Sequence, residues 1–166
     1  MSRTFNVLVL CTGNSARSIL GEMLFNHLGK GGIKAWSAGS KPGGVVNPVA
    51  LETLAKHGVP CEGARSKSWD EFNASAIPPA PSFDFIFTVC GNAAAETCPI
   101  WPGHPTTAHW GIPDPAHVEP MAARRAAFEE AYQSLKKRIE AFLALPLESM
   151  TPQESALAAR RIHTGD

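Results

Sequence analysis

The stretch Phe5 to Leu20, FNVLVLCTGNSARSIL, decides the fold. Phe5 to Leu10 reads as a buried strand, and Ile19, Leu20, Met23, Leu24 and Leu28 recur at helical spacing until Gly29 stops the pattern. Between them, Cys11 to Ser18 (CTGNSARS) is a tight strand-to-helix junction. Backbone N–H groups of a loop that opens a helix converge on one point, and the helix dipole adds positive potential there. A tetrahedral oxyanion is the natural guest. Thr12, Gly13, Asn14, Ser15, Ala16, Arg17 and Ser18 are the expected cradle, with the Arg17 guanidinium adding a planar fork of donors. The same field is expected to lower the pKa of Cys11 from about 8.5 for a free thiol and make it a nucleophile. A buried cysteine followed by a solvated arginine would not account for the strand, Gly13, Asn14 and helix that surround the pair.

Working outward, 166 residues suffice for one domain with a sheet between helical layers. The 15 basic and 15 acidic side chains cancel. That argues against a nucleic-acid or anionic-membrane surface and for a local anion site. No apolar run is long enough to span a membrane and no cleavable signal precedes the first strand, so a cytoplasmic protein is expected. In that reducing compartment the four cysteines point to catalysis, redox chemistry, metal binding or burial rather than permanent disulfides.

Beyond the first helix, Ile33 to Ala38 reads as a strand and GSKPGG as a loop. Asn47 caps a helix with Pro48 at its first position; Leu51, Leu54 and Ala55 face inward and Gly58 ends it. Residues 59–82 read as connectors with a helical turn near Ser68 to Phe72. Phe83 to Val89 is the next strand, GNAAAET a helix-compatible segment, and Ala108 to Trp110 a short strand. A long helix from Pro120 to Leu143 buries Phe128, Ala131, Leu135, Ile139 and Phe142. Thr151, Pro152 and Glu154 have capping-box spacing and predict one more helix, whose weak amphipathicity names no docking site. The fold expected is an α/β three-layer sandwich: a central four-stranded parallel sheet, helices on both faces and an extra C-terminal helix. Residues 1–145 form the domain and 146–166 a helical extension. Cys11 and Cys90 both end strands, and Asp114 follows the last one.

The loop CTGNSARS, the aspartate of DPA at 114–116 and the order of elements resemble the low-molecular-weight protein tyrosine phosphatases. Cys90 and Cys98, in VCGNAAAETCPIWPG before HWGIPDPA, bring the chain closer to the thioredoxin-coupled arsenate reductases built on that fold. The resemblance covers roughly residues 5–143. It implies that arsenate binds in the loop, with phosphate and sulfate as competing anions, that Cys11 attacks arsenic and that Asp114 protonates the departing oxygen. Cys90 then attacks the adduct, and Cys98 attacks the Cys11–Cys90 disulfide. No cofactor is held, and an external thiol reductant, thioredoxin or one of glutaredoxin or mycothiol type, regenerates the enzyme. No nucleic acid or membrane partner is implied, and a monomer is expected. Chemistry separates the activities: a phosphatase needs one thiolate and an acid, whereas As(V) reduction needs two electrons and hence two thiols. If residues 90–98 were helical, their ends would lie roughly 12 Å apart. A disulfide needs Cα atoms within about 7 Å, so the segment is expected to unwind on oxidation.

Some members with this resemblance bind potassium beside the loop, and Asn14, Glu22 and Ser37 match those positions. At the fourth position this chain has Ser68 beside Lys67, whose ammonium offers a replacement for the ion. Ala16 stands where many such loops carry a second cysteine, and seven residues rather than six separate Cys90 from Cys98. Cys61 matches nothing and reads as a bystander. Zinc on Cys90, Cys98, His104 and His109 is disfavoured, because that gap is too long for a zinc-knuckle pair. Two other readings stay open. One is a phosphatase, although Ala116 removes the aromatic wall usual after Asp-Pro in that family. The other is an oxyanion-binding module without turnover.

Overall fold

The computed structural model of the chain describes residues 4–72, 82–89 and 106–164. Its centre is β1 (Phe5–Cys11), whose Val7, Leu8, Val9 and Leu10 are almost wholly buried. Apolar side chains on both faces of one strand demand cover on both sides, which parallel sheets provide. β2 (Ile33–Gly39), β3 (Phe85–Thr88) and β4 (Thr106–His109) complete a parallel sheet of order β2-β1-β3-β4. In register, Val7 and Val9 lie beside Phe85 and Phe87, while Leu8 lies between Trp36 and Ile86.

The Val7/Val9 face meets α1 (Arg17–Gly29) and α3 (Met121–Leu143), and α2 (Pro48–Lys56) packs beside both helices. α1 sits close to the sheet because Gly21 has no side chain; a Cβ there would stand 3.0 Å from a Val9 methyl. Aromatic rings lock this layer: Phe25 stacks on Phe87 at 5.4 Å, and Phe142 meets Phe85 edge-on at 4.9 Å. The opposite face, with Leu8, Leu10 and Ile86 buried, is closed in part by Trp36, Phe83 and Phe72 in edge contacts. This is the four-stranded parallel α/β architecture expected from the sequence.

Local signals behave as their chemistry requires. Asn47 accepts from the Val49 amide to cap α2, with Pro48 at its first position. The inward face of α2 is Val49, Ala50, Thr53 and Leu54, which corrects the expectation for Ala55: it is exposed, and Leu51 is half-buried. Ser68 caps the short 3-10 turn Trp69–Glu71. β3 is shorter than the apolar run, and β4 starts two residues before the expected strand, because pairing with Phe85 reaches back to Thr106. A second 3-10 turn, Leu147–Ser149, leads to α4 (Pro152–Thr164). Thr151 and Glu154 exchange the reciprocal bonds of a capping box. α4 packs beside β4 and α3, where the Ala159 carbonyl accepts the buried Trp110 indole N–H at 2.8 Å. Arg160 adds a bond to the Thr107 carbonyl. Among the described residues no helix is long and apolar enough to cross a membrane.

Candidate active site

Cys11 is the last residue of β1, level with Gly39 on β2, and is 6% exposed. The loop that follows is anchored by its carbonyls. Thr12 O accepts from Lys41 N at 3.0 Å, Gly13 O from Gly43 N and the Ser66 hydroxyl, and Ser15 O from Asn47 N at 2.8 Å. In a planar trans peptide the next N–H points opposite to the carbonyl. Tying these carbonyls to a collar formed by residues 41–47 and 66 turns the N–H groups of Gly13, Asn14 and Ala16 away from it, toward the loop interior. Arg17 then opens α1, whose N-terminus carries no side-chain cap and no acid in its first turn. Those free donors and the helix dipole select an anion.

Asn14 holds the loop's shape. Its φ of 45° is a left-handed conformation, costly for a residue with a side chain unless local bonds fix it. It is fully buried, and its amide donates to the Ser18 hydroxyl at 2.8 Å and the Ser37 hydroxyl at 2.9 Å. Its carbonyl oxygen accepts the Lys67 backbone N–H at 2.8 Å. Gly39 is required for a different reason: a Cβ there would stand 2.4 Å from Thr12 O and 2.8 Å from Cys11 O. The collar has no signature in the sequence; the close approach at Gly39 has one, the glycine itself, whereas Gly43 and Gly44 of the same GSKPGG stretch face open space.

Behind Asn14 lies a buried charge pair. Ser37 donates a hydrogen bond to Glu22, and Lys67 Nζ lies 3.6 Å from Glu22 Oε1 while donating to the Arg65 carbonyl at 3.0 Å. Burial pushes the Glu22 carboxyl up and the Lys67 ammonium down, and each charge pulls the other back. Asn14, Glu22 and Ser37, expected as potassium ligands, are thus already hydrogen-bonded to one another. The buried Glu22 carboxylate is answered by Lys67, so this donor set does not fit an added monovalent cation.

The second contributor is the loop after β4. Buried Arg138 on α3 donates to the carbonyls of Trp110 and Gly111, at 2.9 and 3.2 Å, and Arg17 Nη1 donates to Ile112 O at 3.0 Å. Asp114 follows, with Oδ2 3.6 Å from Arg17 Nη2 and Oδ1 accepting the Ala116 N–H. Its side chain is 42% exposed against 14% for Arg17. The fold therefore brings Cys11, Arg17 and Asp114 to one edge of the sheet.

Cys90, Cys98 and His104 lie outside the described residues, as does the GNAAAET segment with its expected unwinding. His109 bonds Thr88 at 2.8 Å across the ends of β3 and β4. Cys61 is half-buried, its thiol pushed up by burial. Among the described residues no group of three or more His, Cys, Asp or Glu is placed to hold a metal.

Comparison with known proteins agrees with this geometry. An arsenate reductase of Shouchella clausii is 32% identical over 137 residues, covering 82% of this chain and 93% of the relative. The crystal structure of arsenate reductase from Archaeoglobus fulgidus is 30% identical with a TM-score of 0.58, covering 81% of this chain and 98% of that one. The tyrosine phosphatase Wzb from Escherichia coli K30, in complex with sulphate, shares the fold at 23% identity and a TM-score of 0.65, covering 84% of this chain and 96% of that one. The model of the low molecular weight phosphotyrosine protein phosphatases matches residues 6–155, which reaches into α4, and with the strand, anion-accepting loop and Asp114 arranged as described, the chain belongs to that family.

Proposed function

We propose that this chain reduces arsenate to arsenite in the cytoplasm, using Cys11, Cys90 and Cys98 in turn, and so serves arsenic detoxification. Arsenate sits in the loop of residues 12–18, among the inward N–H groups of Gly13, Asn14 and Ala16, the N-terminus of α1 and the Arg17 guanidinium. The Cys11 thiolate attacks arsenic, and Asp114, beside Arg17 at the rim, protonates the oxygen that departs as water. Ser18, whose oxygen already accepts from Asn14, has a proton to offer the thiolate. Cys90 then attacks the Cys11 sulfur: the S–S bond forms, the S–As bond breaks, and its electron pair stays on arsenic as As(III) leaves. Cys98 attacks Cys90, freeing Cys11 as thiolate. A dithiol reductant of the thioredoxin class takes up the Cys90–Cys98 disulfide.

The observation that carries the choice of reductase is the pair Cys90 and Cys98, in a chain about 30% identical to named arsenate reductases over most of its length. A phosphatase is the second reading, favoured by the loop and Asp114 alone, which would serve phosphate esters equally well. Arsenate-dependent NADPH consumption with thioredoxin and its reductase, measured beside aryl phosphate hydrolysis, decides between them. The expected result is reduction that disappears separately in Cys11→Ser, Cys90→Ser and Cys98→Ser. Hydrolysis without reduction would establish the phosphatase. Stabilisation by phosphate with neither product would leave a binding module.

A further inference from the structure

We propose that Lys67 is a built-in cation that sets the catalytic-loop conformation, so that oxyanion binding by this chain is independent of potassium. The inference rests on residues 11–18 being an oxyanion cradle and not on the reductase chemistry. Lys67 is 6% exposed and touches the loop's support twice. Its backbone N–H fixes the oxygen end of the Asn14 amide. Its ammonium faces Glu22, toward which the Ser37 hydroxyl directs its proton. That orientation leaves a Ser37 lone pair for the Asn14 amide nitrogen, whose other proton goes to Ser18. The chain Lys67–Glu22–Ser37–Asn14–Ser18 thus determines which way the Asn14 amide faces, and with it the left-handed turn between Gly13 and Ser15.

Removing the ammonium leaves a buried carboxylate without its contacting cation, with only the more distant charge of Arg65 acting on it, a state that proteins avoid by protonation or rearrangement. Either response removes the acceptor that orients Ser37. In the native chain an added monovalent cation meets no uncompensated charge. With the Lys67 side chain cut back, the space and the charge of Glu22 become available to one. Lys67 is in this sense a positioning residue, acting on the anion through Glu22 and Asn14.

The test is calorimetric titration of inorganic phosphate into the full chain, in NaCl and in KCl at equal ionic strength. Wild-type affinity is expected to be the same in both salts. Lys67→Ala is expected to bind about tenfold more weakly in NaCl and to recover in KCl or ammonium chloride. The double variant Glu22→Gln/Lys67→Met removes both buried charges, guards against misfolding of the single variant, and is expected to ignore the cation. Tighter binding by the wild type in potassium, equal weakness of Lys67→Ala in both salts, or a potassium response in the double variant would each overturn the proposal. Loss of arsenate reduction with these phosphate results intact would count against the reductase reading alone.

Discussion

The loop at 11–18 and the loop at 110–116 both leave the carboxyl ends of parallel strands, yet they are held by different means. In the first, the carbonyls of Thr12, Gly13 and Ser15 are bound by other segments, and Asn14 is buried with its side-chain amide fully engaged. In the second, two arginines grip backbone carbonyls at 110–112, and the one side chain with chemistry to offer, Asp114, stands half in solvent. The contrast matches the two tasks proposed for these loops. Capturing a tetrahedral anion needs donors fixed before it arrives, since dipoles that must reorganise lose much of their worth. Delivering a proton needs a group that exchanges with water between turnovers, which a sealed carboxyl does poorly.

Separate functions for the two loops predict separable losses. The largest concerns Asp114→Asn, which should slow arsenate reduction about 100- to 10,000-fold while phosphate affinity, read by calorimetry, stays near wild type. An equal loss in both would break the division of labour. Next, Arg138→Met leaves the Trp110 and Gly111 carbonyls without that donor and should lower stability by about 2–4 kcal/mol in urea unfolding. Smaller in stability but opposite in its functional target is Gly39→Ala, expected to cost about 1–3 kcal/mol from the forced contact with Thr12 O. It should weaken phosphate binding where Asp114→Asn does not.

The smallest effect lies away from both loops. Glu129, hydrogen-bonded by Gln133 and by His57, which stacks on Tyr132, has its carboxyl held down to about 2. A depressed carboxyl contributes stability that is fully present above its unfolded value of 4.5 and is lost as pH falls toward 2. The melting-temperature gap between wild type and Glu129→Gln should therefore close over that range, with phosphate affinity at neutral pH unchanged in the variant. A gap that stays constant down to pH 2 would refute the assignment.

How legible all this was in the sequence differs in the same way. β1, α1 and α3 were readable because apolar runs and helical periods are local, and the caps at Asn47 and Thr151 were readable for the same reason. The inward face of α2 departs from the sequence pattern at Ala55, which is exposed, since nothing local says which side α1 and α3 will cover. The docking of α4 was invisible because its anchor is a buried indole, Trp110, nearly fifty residues away. Of the site, Cys11 and Arg17 share one loop with a known chemical logic. Its support comes from Gly39, Lys41, Gly43, Asn47, Ser66 and Lys67, mostly through backbone groups that carry no residue signature.

The central claim, that the loop captures arsenate and two further thiols supply the electrons, is tested most directly by a single turnover without external reductant. Fully reduced protein and excess arsenate should give one arsenite per chain, with two of the four cysteines lost as free thiols and peptide mapping finding Cys90 joined to Cys98. Arsenate bound with all four thiols still titratable and no arsenite formed would contradict the account.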